Sequence, residues 1–252
     1  MSIAPRWAAL AAAAAALVLT ATGCSSSDSK KSDAKGSPSA PAESGSSGSA
    51  APGSAAPGGT AAIPTGAGPQ TSYTVQKQPA PGTCHYQYTA DKQPLPDPKC
   101  TPGATNPKVT QATLKETICK SGYTATIRPP VSVTGKEKTA NAESYGYKGS
   151  PRDSEYDHLI SLQLGGDPND PRNLWVEPPS PGHKDGAGPN NPKDVVETKL
   201  KTAICSGKTD LVKAQQAIAH DWTTALNTLG IKDDGKSPAK GAKETKDADG
   251  GE

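Results

Sequence analysis

Asp157 and His158 stand side by side at the start of YDHLISLQLGGDPNDPRNLW, the segment Tyr156–Trp175, and Asn173 lies near its end. A carboxylate, an imidazole and a carboxamide within about one hairpin's length suit phosphodiester hydrolysis. That reaction takes a proton from an attacking water, neutralises charge on the phosphoryl oxygens and stabilises the leaving oxygen. A histidine of near-neutral pKa can do the first, and a divalent cation held by a carboxylate the other two. A histidine base also needs its second ring nitrogen held by an acceptor, or its ring fixed by a neighbour. Side chains on a regular strand alternate between faces. Asp157 and His158 therefore serve one site only if the backbone bends or bulges there.

The elements that must position these groups follow from the flanking pattern. Leu159, Ile160, Leu162 and Leu164 predict a strand over Tyr156–Leu164, which Gly165-Gly166 breaks. The run DPNDPR is a loop, and Leu174–Val176 a short return strand. After turn-rich Glu177–Asn191, Pro192 suits the first turn of a helix with Val196, Leu200, Ala203 and Ile204 as its apolar stripe, ended by Gly207. Thr209 or Asp210 opens a second helix, with Leu211, Ala214, Ile218, Trp222, Ala225 and Leu229 at helical spacing; Trp222 reads as a packing residue. Upstream, a short helix is expected over Pro107–Cys119 and an extended segment over Tyr123–Val133. A further helix, capped by Thr134 with Glu137 as capping-box partner, is expected to run to Tyr145. His85 and His220 read as structural or surface residues.

The chain has 252 residues, and much of it is unsuited to folding. Residues 24–81 are mostly Ser, Ala, Gly, Pro and Lys, too poor in apolar side chains to offset backbone entropy, and are expected to be a disordered linker. Residues 231–252 read as a disordered tail. One domain of ordinary size remains at 82–230. The chain has no Phe, so apolar supply is thin and cross-links would help. Arg6 and the short apolar stretch Trp7–Leu19 resemble an export signal over residues 1–23. The ATGC ending resembles a bacterial lipoprotein processing site, although Ala21 stands where Leu is usual. That resemblance implies cleavage before Cys24, lipid on its thiol, and an extracytoplasmic protein anchored to the cell membrane. Cys84, Cys100, Cys119 and Cys205 remain. Their even number suggests two disulfides among three possible pairings, with Cys84–Cys100 and Cys119–Cys205 favoured. No Cys-x-x-Cys pair exists to suggest a zinc-thiolate site.

DHLISLQLGG followed by NLW resembles the HNH endonuclease superfamily, over about residues 153–205. The resemblance implies an α+β fold with a small ββα-metal core, flanked by helices and stapled by disulfides where many members carry zinc-knuckle cysteines. It implies that Asp157 binds a divalent metal, expected to be Mg²⁺, that His158 is the general base, and that Asn173 orients it and braces the loop. The family's last His or Asn falls roughly nine or ten positions beyond the middle Asn, where His183 stands beside Lys184. Asn191, Asp194 and Glu197, at the opening of the next helix, compete with His183 for the role of second metal ligand.

Charge is divided along the chain. Residues 101–150 carry 7 Lys and Arg against 3 Asp and Glu; residues 151–200 carry 5 against 9. The acidic segment suits a cation, and the basic one a nucleic-acid backbone, with Arg128 and Arg152 as candidate phosphate contacts. A net charge of +2 excludes tight coating of DNA, yet permits transient contacts. The expected activity is metal-dependent cleavage of nucleic acid, DNA in the first instance, by a monomer held to the membrane through Cys24. The alternative is a catalytically silent, lipid-anchored surface module that reuses the fold.

Overall fold

A computed structural model describes residues 62–232. The expected export signal, lipidation at Cys24, residues 24–61 of the linker and residues 233–252 of the tail lie outside them. The fold is mixed α+β with two small antiparallel sheets. In chain order the elements are β1 (Gln87–Tyr88), β2 (Pro94–Leu95), α1 (Tyr123–Ile127), α2 (Val131–Ser144), β3 (Glu155–His158), β4 (Leu174–Glu177), α3 (Lys193–Cys205), α4 (Leu211–His220) and α5 (Ala225–Thr228). β1 pairs with β2, and β3 with β4. Single 3-10 turns lie at Gln111–Thr113 and Leu162–Leu164. None of the described helices is long and apolar enough to cross a membrane.

The main core is built from α3, α4, α5 and the turn between the last two, which pack Leu200, Ile204, Leu211, Ile218, Trp222 and Leu226 against Ile160 and Leu164. Trp222 is a packing residue whose Nε1 donates to Pro94 O. A smaller cluster joins Cys84, Tyr145, Leu159 and Trp175, with Tyr86 stacked on Tyr145 at 4.6 Å. Two disulfides close the domain. Cys84–Cys100 staples the segment around β1 and β2, and Cys119–Cys205 ties the region before α1 to the end of α3.

Several elements depart from the periodicity, each for a local reason. β3 ends at His158 rather than Leu164, because the Asn173 side chain, not a strand partner, takes both the N–H and the C=O of Ile160. The helix expected over Pro107–Cys119 is reduced to a 3-10 turn. There Thr113 Oγ1 donates to Lys108 O and accepts from Thr110 N, and such side-chain bonds compete with a regular helix. Tyr123–Ile127 is helical rather than extended. Pro129 then holds Arg128 at ψ 131°, and α2 starts at Val131 with Pro130, not Thr134, at its N-cap. The last expected helix breaks at Asp221, whose carboxylate accepts from both the N–H and the hydroxyl of Thr223.

The domain also begins earlier than residue 82. Residues 62–81, expected as linker, form a strap bonded along the surface. Thr65 bridges Thr105, Gly68 N donates to Asp167 Oδ2, Gln76 N to Glu137 Oε1, and Ser144 Oγ to Pro79 O. On the strap's side these bonds are made by its main chain and need few apolar side chains, so composition misses them. At the other end Ile231, expected in the tail, packs against the helical core.

Each disulfide restricts the unfolded chain, the one spanning more sequence doing so more strongly. Replacing Cys119 and Cys205 by Ala should lower unfolding free energy by about 4–5 kcal/mol, and replacing Cys84 and Cys100 by about 3 kcal/mol. Urea denaturation of both double variants checks the order; a larger loss from the Cys84–Cys100 pair would contradict it.

Candidate functional site

β3 and β4 form an antiparallel ribbon with unbroken register: Glu155 faces Glu177, Tyr156 Val176, Asp157 Trp175 and His158 Leu174. No bulge interrupts it, so Asp157 and His158 project from opposite faces. Glu155, Asp157, Trp175 and Glu177 lie on the face that meets the start of α3. Tyr156, Leu174 and Val176 pack toward Ala142 of α2, and His158 shares their face.

The loop between the strands is locked by Asn173, which is 0% exposed. Its Oδ1 accepts from Ile160 N at 3.0 Å and Ala104 N at 3.3 Å; its Nδ2 donates to Ile160 O and Asp167 O, both at 3.0 Å. Gly165, at φ +77°, turns the chain into this loop. Gly166 passes so close to Ile160 that a Cβ would lie 1.6 Å from its carbonyl oxygen. The adjacent glycines of the motif are therefore one conformational and one steric requirement.

The closed loop presents Pro168 O to His158. His158 Nε2 lies 3.0 Å from that oxygen and, facing a carbonyl, must donate. The tautomer is thereby fixed with the proton on Nε2. Nδ1 makes no hydrogen bond among the described residues. The residue is 8% exposed. Burial, reinforced by the positive charges of Arg128 and Lys193, lowers its pKa to about 3, so the ring is neutral across the physiological range. Arg128 is exposed and near enough for its charge to act on the imidazole. Arg152, also exposed, precedes β3 at the end away from His158. Asn173 thus acts on His158 indirectly, through the loop that carries Pro168.

Asp157 has different company. It is 6% exposed, and its Oδ2 accepts from Lys193 Nζ at 2.7 Å and from Trp175 Nε1 at 3.1 Å. Lys193, fully buried at the first turn of α3, also donates to Glu197 and to His158 O. Asn191 bridges Glu155 and Glu177 at 3.1 Å each. Burial opposes charge on Lys193, but Asp157, Glu197 and Glu177 outweigh it and hold the ammonium well above its usual range. Burial raises Asp157, against the pull of Lys193, and burial with the nearby Asp157 charge raises Glu177 well above the carboxylate range. One ammonium cannot compensate all these carboxylates, and Glu177 is among those pushed upward.

His183 lies elsewhere, on the loop between β4 and α3. Its Nε2 is 3.4 Å from Asp153 Oδ1. Asp153, His183 and Asp185 each bring one ligand atom within 4.8 Å of the others, a group that could hold a metal ion. N–H groups of Gly186 and Gly188 donate to Asp153, and the Gly186 bond is the largest influence holding its carboxyl below the usual range. The two residues expected to share an ion, Asp157 and His183, are thus not brought together. Of the competing ligands, Glu197 is bonded to Lys193, and Asn191 to Glu155 and Glu177. The participation of Lys193, Glu155, Glu177, Asp153 and Asp185 was not anticipated. The i,i+4 spacing of Lys193 and Glu197 after an acidic strand was the available signal for the first three. Comparison of the chain with family models, curated proteins and solved structures finds no match.

Two measurements probe these charges. The folded-state pKa of His158 lies below the unfolded value of about 6.5, so the native state binds fewer protons between the two. Its contribution to stability is complete above about pH 6.5 and is lost as pH falls toward 3. The stability advantage of wild type over His158→Gln should shrink by up to about 1.4 kcal/mol per pH unit between pH 6.5 and 4. A constant difference in urea denaturation would overturn this. Lys193→Met, which strands Asp157, should cost about 3–5 kcal/mol, whereas Lys213→Met, at an exposed pair with Asp210, should cost less than about 1 kcal/mol.

Proposed function

We propose that this domain hydrolyses phosphodiester bonds of nucleic acid outside the cytoplasm, with His158 as general base. The observation that carries the reading is the geometry of the imidazole: Pro168 O sets its tautomer, and Nδ1 has no hydrogen-bond partner among the described residues. The succession β3, a loop braced by Asn173, β4 and then α3 supports it as the layout that the HNH resemblance implies. In the proposed reaction Nδ1 accepts the proton of the attacking water as its oxygen bonds to phosphorus, the bond from phosphorus to the leaving oxygen breaks, that oxygen takes a proton from solvent, and Pro168 O keeps the ring oriented. Arg128 lies against the phosphoryl oxygens, where its guanidinium offsets developing charge. The two disulfides support a location outside the cytoplasm. Anchorage through lipidated Cys24, and monomeric action, remain part of the proposal.

Mg²⁺ held by Asp157 does not fit these residues. The ammonium of Lys193 lies where a cation would meet that carboxylate, Trp175 donates to the same oxygen, and Asp157 is enclosed. Charge neutralisation therefore falls to Arg128 in this reading. The same enclosure, with the limited exposure of His158 and a pKa of about 3, far below that of an effective base at neutral pH, favours a second reading: a non-catalytic surface module that keeps the scaffold.

Cleavage assays separate the two. Protein purified free of host nuclease should cut at least one of plasmid DNA, single-stranded DNA and RNA, and His158→Ala should lower the rate by about 10²–10⁴-fold while circular dichroism remains unchanged. Arg128→Ala should weaken cleavage and its salt dependence together. Equal cleavage by wild type and His158→Ala, or none by wild type on any substrate, would leave the non-catalytic module.

A further inference from the structure

We propose that Asp153, His183 and Asp185 form a binding site for a borderline divalent cation of the Zn²⁺ type, which clips the loop between β4 and α3 onto the start of β3. The site is separate from His158 and does not depend on the nuclease reading.

The decisive atom is His183 Nε2. The side chain is only 8% exposed, and Nε2 is enclosed without a hydrogen-bond partner. An enclosed ring nitrogen with no partner is costly, and native structures seldom tolerate one without an ion or water to satisfy it. Nε2 lies 3.4 Å from Asp153 Oδ1, close enough to share an ion with it but without the alignment of an N–H···O bond. Two ligand atoms about 2.1 Å from a tetrahedral ion stand about 3.4 Å apart, so this spacing suits Zn²⁺. Ligands at right angles around Mg²⁺ would be closer, about 2.9 Å apart.

Ligand chemistry points the same way. One imidazole and two carboxylates make a mixed N/O set that suits Zn²⁺ better than Mg²⁺ or Ca²⁺, which prefer oxygen alone. The N–H groups of Gly186 and Gly188 donate to Asp153, fixing the carboxylate while its remaining lone pairs stay available. Asp185 is exposed, with a carboxylate oxygen within 4.8 Å of the other two ligand atoms, and would close the third side, leaving a fourth position for water. Binding would fasten residues 183–188 to Asp153 and so stiffen the approach to α3.

The test uses the disulfide-intact protein stripped with chelator and titrated calorimetrically with Zn²⁺, Mn²⁺ and Mg²⁺ as chloride salts. The expected result is one saturable Zn²⁺ site with a raised Tm, weaker Mn²⁺ binding and at least tenfold weaker Mg²⁺ binding. Asp185→Asn, an exposed change that should not disturb folding, should weaken Zn²⁺ at least tenfold, as should His183→Gln. Lys213→Gln, at an exposed pair on α4, should leave it unchanged. Absence of saturable Zn²⁺ binding, or binding that survives both Asp185→Asn and His183→Gln, would overturn the assignment whatever the cleavage assays show.

Discussion

The Asn173 carboxamide is the interaction on which the rest of the ribbon depends. Four main-chain groups from three stretches of chain meet it: Ile160 N and O, Ala104 N and Asp167 O. No backbone partner offers two donors and two acceptors in so small a volume. It ends β3 early, holds the loop against the Gly103–Thr105 segment and fixes where Pro168 O emerges. Asp167 extends the hold, accepting from Asn169 N and Asp170 N inside the loop and from Gly68 N on the strap. Substitution of Asn173 would leave main-chain groups unpaired in the interior, the arrangement that proteins tolerate least. The orientation of the His158 ring is a consequence of this loop, since the one hydrogen bond of its ring among the described residues ends on it.

Regular strand geometry then divides two neighbouring residues between two environments. With intact pairing on both sides, the His158 ring faces α2 and the Arg128 side, while Asp157 faces α3. Each environment suits a different protonation state. The imidazole, near two positive charges and shielded from water, is kept neutral. The carboxylate, equally shielded, is matched by an ammonium that also bonds to Glu197 and to the carbonyl of His158. Lys193 thereby joins the first turn of α3 to the end of β3, and its removal would disturb both faces.

Much of this arrangement was legible in the sequence, because it rests on local chemistry. The return strand at Leu174, the start of α3 after Pro192, the Gly165-Gly166 break and both cysteine pairs follow from residue type and spacing. What was not legible depends on partners distant in the chain. The strap of residues 62–81 holds through its own main-chain groups, bonded largely to side chains of the domain, which leaves no trace in its composition. The early end of β3 needs Asn173, and the helical turn before Arg128 needs only five residues, too few for periodicity. The candidate site divides in the same way. His158 and Asn173 stand in one connected arrangement, whereas the ion expected between Asp157 and His183 would have had to span two separate clusters. Lys193 decides that, and its side chain reaches Asp157 across 36 positions of sequence.

A domain with no Phe, one main apolar core and two small apolar clusters has little hydrophobic margin with which to hold so many buried polar groups. Buried ion pairs do not supply it, since their desolvation roughly offsets their attraction. The cross-links do. Cys119–Cys205 ties the end of α3, whose first turn carries Lys193, to the region before α1. Cys84–Cys100 holds the segment from which Tyr86 reaches Val176 O on β4 and packs with Tyr145 and Trp175. Both elements that flank the Asp157 network are thus restrained covalently as well as by packing. A chain built this way can place charge in its interior without a large core, provided that it folds where thiols oxidise. The chemistry of the cysteines and the polarity of the ribbon are therefore linked: a reducing environment would remove the restraint that the buried charges require.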